Sequence, residues 1–163
     1  MANLNIEAVY QQKMENYIEF KNLCFVDTLD NTAALAYEGK QNDFFGQISM
    51  ENFRRIKDQN AKKISVIIGN PPYNAHQENY NLQNANRFYT DIDRRVKETY
   101  VKRGTAQRKG DLYDMYVRFV RWATDRLNGN GIVAFVTNRS FINARTFDGF
   151  RKEISKDFQE IWI

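Results

Sequence analysis

The feature that most constrains this chain is an apolar run that is stopped by force. Ile64-Ser65-Val66-Ile67-Ile68-Gly69 is rich in β-branched residues, and it is followed at once by Asn70-Pro71-Pro72-Tyr73. Short continuous apolar runs of this kind suit a strand covered on both faces, the usual state of strands in parallel sheets. Neither proline can donate a ladder hydrogen bond, and each restrains the residue before it to extended geometry. The spacing therefore predicts a buried strand over 64–68 and a stiff, extended arm over 70–73 leaving its carboxyl end. That edge of an open α/β sheet is where ligands bind. Asn70 brings an amide with both an acceptor and donors, the prolines leave carbonyls with few competing N–H groups, and Tyr73 brings a flat aromatic face.

The rest of the chain reads as alternating helices and strands. Apolar positions Ile6, Val9 or Tyr10, Met14 and Tyr17 predict an amphipathic helix over roughly 5–19, and Leu23 to Val26 a short strand ending at Asp27. A short helix is expected near 50–58. A weaker helical pattern runs from Phe88 to Tyr100 through Ile92 and Val96. The strongest helix lies over 111–127, where Leu112, Tyr116, Phe119, Ala123 and Leu127 share one face and Asp111 is placed to cap. Asn128-Gly129-Asn130-Gly131 ends it, glycine being suited to a left-handed cap. A second buried strand is expected over 132–136, leaving through Thr137-Asn138-Arg139-Ser140. A helix over 147–156 and a strand beginning at Ile161 complete the order. Such an alternation predicts an α/β fold with a mostly parallel sheet flanked by helices.

At Asn70-Pro71-Pro72-Tyr73, placed after an apolar strand, the chain resembles the adenine-specific, amino-group DNA methyltransferases. Asp111-Leu112-Tyr113 opening a long helix, and Gly131 to Val136 leading into a polar turn, resemble successive segments of that family. The methyltransferase region of single-chain restriction-modification enzymes is the most similar. The resemblance implies a partial Rossmann-like, S-adenosylmethionine-dependent methyltransferase fold. It further implies that Asn70 and Pro71 orient the exocyclic amine of an adenine swung out of the duplex, that Pro72 stiffens the arm, and that Tyr73 stacks on the base. Asp27 occupies a position similar to that of the family's cofactor-binding carboxylate; a turn or capping aspartate is the alternative.

The family's glycine-rich cofactor turn has no counterpart upstream of Asp27, where the chain contains no glycine. The expectation is therefore a single partial catalytic domain over 1–163, working with missing flanking segments or another restriction-modification subunit. S-adenosylmethionine is the implied cofactor, bound weakly or not at all by this chain alone. A degenerate DNA-binding or assembly module, or a methyltransferase acting on RNA or a protein amide, are the competing readings.

Charge and composition bound the partners. Net charge is +4, but residues 87–109 hold eight basic side chains against three acidic ones. Within a long loop or insertion over 74–110, Arg94, Arg95, Lys102, Arg103, Arg108 and Lys109 are candidates for contacting DNA phosphates, the alternative being a solvated face. One cysteine, Cys24, rules out an internal disulfide, and a single histidine, His76, leaves no Cys/His metal site. No apolar run approaches the roughly 18 residues of a membrane span, and no secretory pattern opens the chain. These features predict a cytoplasmic protein.

Overall fold

The computed structural model describes residues 2–31, 46–72, 88–107, 110–127 and 129–163. They fall into two compact units, one built from residues up to Asp27 together with 46–62, the other from 28–31 and the residues from Lys63 onward. Tyr73, His76, Arg108 and Lys109 lie outside the described residues.

The first unit contains helix α1 (Ala2–Met14) and helix α2 (Gly46–Ala61). Glu7 organises the chain after α1: its carboxylate accepts from the Phe20 N–H at 2.8 Å and from the Tyr17 hydroxyl at 3.2 Å. The strand expected over 23–26 does not form. Both backbone groups of Phe25 are instead taken by the side-chain amide of Asn52, which accepts from its N–H and donates to its carbonyl, each at 2.7 Å. A side chain has replaced the neighbouring strand as hydrogen-bond partner, so nothing aligns a ladder. The apolar positions of α1, among them Val9 and Met14, are exposed, so the stripe read from the sequence is unburied here.

The second unit carries the sheet. Strand β1 (Val66–Gly69) pairs in parallel with β2 (Ile132–Phe135), Val66 opposite Ile132 and Gly69 opposite Phe135. The crossover between them includes α3 (Thr90–Val96), a π-helical turn over Lys97–Val101, a 3₁₀ turn over Gly110–Tyr113, and α4 (Met115–Arg126). After β2 come the short α5 (Ser140–Asn143), a 3₁₀ turn over Arg145–Phe147, and α6 (Asp148–Asp157).

The parallel pairing and the helix positions follow the sequence pattern, with three corrections. The strongest helix begins at Met115 and not at Asp111, because Asp114 is extended (φ −61°, ψ 146°) and separates α4 from the 3₁₀ turn. Ile161 to Ile163 form no strand and are exposed, having no strand partner among the described residues. The sheet, expected to be buried on both faces, has one bare face. Val66, Ile68 and Ile132 are 52%, 78% and 62% exposed, whereas Ile67, Gly69, Val133 and Phe135 on the other side are partly covered. Apolar periodicity reports what a strand would tolerate, but not which groups are present to cover it.

The core lies where α3, the π turn, α4 and α6 meet, at Ile92, Val96, Tyr100, Leu112, Tyr116, Val117, Phe147, Phe150 and Ile154. Phe150 sits at its centre, edge-on to Tyr100 at 4.9 Å, to Phe141 at 5.6 Å and to Phe147 at 6.3 Å between ring centroids. Such edge-to-face pairs add to the stabilisation from burial alone. Gly149 belongs here because a Cβ would collide with the Tyr100 carbonyl oxygen and the Gly104 backbone. Two buried arginines complete the unit. Arg118 is clamped on Asp93 by two hydrogen bonds of 2.7 and 3.0 Å, with the rings of Tyr89 and Tyr113 against its guanidinium. Arg121 bridges Asp125 and Asp157 and lies over the Tyr100 ring.

Candidate active site

The candidate site is the carboxyl edge of the parallel pair. β1 ends at Gly69, where the absence of a side chain lets the Phe135 ring of β2 approach; a Cβ at Gly69 would meet the ring at 3.1 Å. The ladder continues one step past the strands, with the Val136 N–H donating to the Gly69 carbonyl at 3.1 Å. Asn70, Pro71 and Pro72 then leave the sheet. Asn70 and Pro72 are exposed and Pro71 is buried, so the arm is anchored at its middle residue. The Pro71 ring fixes its own φ and the following Pro72 restricts its ψ, which together limit the directions open to the Pro71 carbonyl. Chemically, this arrangement offers hydrogen-bond acceptors suited to a planar amine on a short rigid arm. Tyr73, the expected stacking residue, lies outside the described residues.

The other candidates are distributed differently. Asp27 lies in an irregular segment of the first unit, with no strand before it. Of the basic candidates, Arg94 pairs with Asp91 and Glu98 along one face of the α3 and π-turn segment, at 3.5 and 3.6 Å. Arg95 is held by Asp125 through two hydrogen bonds of 2.9 and 2.7 Å. Burial would raise the Asp125 carboxyl, but hydrogen bonds and charge from Arg95 and Arg121 outweigh it and hold it below the usual carboxylate range. Arg103 pairs with the buried Glu153. Lys102 is exposed. Arg94 with Glu98 was legible as an i,i+4 pair. Arg95 with Asp125 and Arg103 with Glu153 join distant parts of the chain and leave no local signature.

Two groups of residues that the sequence did not single out are fixed by the fold. The first is the turn after β2. The Asn138 side-chain oxygen accepts the Ser140 N–H at 2.9 Å, placing exposed Arg139 at the apex. Arg151 of α6 braces the segment behind it, donating to the Phe141 and Ala144 carbonyls at 2.7 and 3.0 Å. The second is Asp148 at the start of α6, whose carboxylate accepts from the Thr105 hydroxyl at 2.7 Å and the Thr105 N–H at 2.9 Å. Those Thr105 hydrogen bonds hold the Asp148 carboxyl well below its usual range. Among the described residues no three His, Cys, Asp or Glu side chains converge as metal ligands, and no helix is long and apolar enough to cross a membrane.

The Asn-Pro-Pro arm thus leaves a parallel β-pair joined by a helical crossover. The chain belongs to the Eco57I restriction-modification methylase family, whose model matches residues 2–163. Solved structures are also similar to this chain. A DrdV–DNA complex is 60% identical, with a TM-score of 0.80 over 96% of this chain. The Type ISP restriction-modification enzyme LlaBIII bound to DNA is 33% identical, with a TM-score of 0.79 over 94%. A nuclease-deletion mutant of the Type ISP enzyme LlaGI, in complex with a DNA substrate mimic, is 34% identical, with a TM-score of 0.81 over 96%. The chain spans only 14%, 10% and 12% of those three chains, respectively. No curated protein matches it.

Proposed function

We propose that this chain is the base-binding part of an adenine-specific DNA methyltransferase in a restriction-modification system. The observation that carries the reading is the arm at the carboxyl end of β1: a buried Pro71 between exposed Asn70 and Pro72, beside the second strand of a parallel pair. In this reading the Asn70 side-chain oxygen and the Pro71 carbonyl accept the two hydrogens of the adenine amine. Holding both hydrogens draws the nitrogen lone pair out of conjugation and aims it at the methyl group. Tyr73 stacks on the extruded base, which must leave the duplex for its amine to be reached. Arg94, Arg95, Lys102, Arg103, Arg108 and Lys109 contribute phosphate contacts in this reading, and of the four described ones Lys102 carries more of that role, since Arg94, Arg95 and Arg103 already have carboxylate partners. DNA is the partner this reading requires, and the three similar structures named above were solved with DNA or a DNA substrate mimic.

The family implies a methyl donor such as S-adenosylmethionine. The described residues do not fit it as a complete site: none of the described glycines forms a glycine-rich turn after a strand, and Asp27 follows no strand. The donor is therefore held with the help of other segments of a larger enzyme, and the part assigned to this chain is to orient the acceptor. The same observation favours the second reading, a binding module without catalysis.

The deciding experiment is transfer of labelled methyl from S-adenosylmethionine to mixed-sequence DNA, by this chain alone and by the chain extended upstream in its native reading frame. Label recovered as N6-methyladenine with the extended chain, and lost with Asn70→Ala, supports the proposal. Label on cytosine would overturn the adenine specificity, and no label from either chain with DNA binding retained would leave the binding module.

A further inference from the structure

The arm at Asn70 does not leave the sheet alone. Gly69 is opposite Phe135, and the Val136 N–H donates to the Gly69 carbonyl, so the segment after β2 starts beside the residue from which the arm departs. The segment beside the arm then turns sharply. Arg139 has φ −89° and ψ 3°, between the Asn138 side-chain oxygen and the Ser140 N–H that it binds. The turn is braced from behind. Ile142 donates to the Arg139 carbonyl at 3.0 Å, Arg151 holds the Phe141 and Ala144 carbonyls, and the Phe141 ring rests against Phe150 and Tyr116 in the core.

What this rigid base presents is a guanidinium. Arg139 is exposed and its guanidinium has no hydrogen bond or ion pair to any described residue, whereas Arg94, Arg95, Arg103, Arg118 and Arg121 are all held by carboxylates. A guanidinium matches a phosphate in geometry as well as charge, since its planar fork can donate to two oxygens at once. Fixing the backbone of the turn in advance removes part of the ordering cost of such a contact.

We infer that Arg139 binds a phosphate of the DNA strand next to the nucleotide whose base occupies the Asn70-Pro71 arm, so that one strand end takes the base and its neighbour takes the backbone. The inference rests on the functional reading above. Within that reading it supplies what an acceptor arm lacks, a fixed point on the substrate backbone that sets how deeply the extruded nucleotide enters.

The test is equilibrium binding of the 163-residue chain, of Arg139→Gln and of Arg139→Lys to two duplexes of equal length over a range of salt concentrations. One duplex is fully paired; the other has its central adenine opposite an abasic position, so that extrusion costs less. Removing one phosphate contact lowers the slope of log affinity against log salt by about 1. Arg139→Gln is expected to lower the slope by about that amount on the abasic duplex, and by clearly less on the paired one. Arg139→Lys is expected to keep the slope, since it keeps the charge, while binding more weakly through loss of the fork. A slope unchanged in Arg139→Gln would overturn the inference, as would an equal drop on both duplexes, which is the signature of general surface charge. Absence of duplex binding by the wild-type chain at every salt concentration would overturn the DNA reading along with it. Because Arg139 is exposed and unpaired, all three proteins should unfold at the same temperature, and a lowered Tm in Arg139→Gln would count against the assignment.

Discussion

The helical body and the sheet of the second unit are built to opposite rules. The body closes around Phe150 and Tyr100, and even its charged groups are enclosed: Arg118 on Asp93, Arg121 between Asp125 and Asp157. Among the described residues the sheet is two strands of four residues with a bare apolar face, and the arm proposed to bind the base begins beyond its last residue. Stability is thus concentrated in the helices, and the strands act as a mount that brings two loop ends into register. The comparison teaches that the residues most costly to change for folding are not those proposed to meet the substrate.

The sharpest way to break this contrast is to remove the ring at the centre of the body. Phe150→Ala should lower the unfolding free energy by about 3–5 kcal/mol, since a large aromatic is lost from a packed site that cannot fully collapse. Urea unfolding measures it, and a loss under about 1 kcal/mol would mean that the helices are not where stability resides.

A smaller, pH-dependent effect is expected at Asp148. Its folded carboxyl is held below the ordinary value of 3.8, so its contribution is fully present above that value and is lost as pH falls through the lowered folded one. The stability difference between wild type and Asp148→Asn should therefore be greatest toward neutral pH and shrink in acid. Unfolding midpoints followed from neutral pH to below 3.8 report this, and a difference that stays constant would detach Asp148 from the hydrogen bonds to Thr105.

The smallest effect belongs to the sheet. Ile68 is 78% exposed, so Ile68→Thr should change stability by no more than about 0.5 kcal/mol by the same unfolding measurement. A loss as large as that for Phe150→Ala would show that the bare face is covered in solution and erase the distinction between the two regions.

How much of this was legible in the sequence follows the range of the forces involved. β1, α4, β2 and α6 could be read because their periodicity is local, and the parallel pairing followed from their alternation. The strand expected over 23–26 failed because Asn52, far along the chain, captures the Phe25 backbone. The start of α4 was misplaced because Asp111 and Asp114 are both good capping residues, and the extended backbone at Asp114 decides between them. In the site, the Asn70 arm was visible from its prolines. The spending of Arg95 and Arg103 on Asp125 and Glu153 was not, nor was the freedom of Arg139, because each depends on partners brought near only by the fold.

The seat of the Phe135 ring on Gly69 has a genetic consequence. A side chain added at 69 would meet the ring at 135 and require it to give by a few tenths of an ångström, or else shift the last rung from which Asn70 departs. A smaller residue at 135 would make that room, so a change at 69 is expected to be milder in the pair than alone.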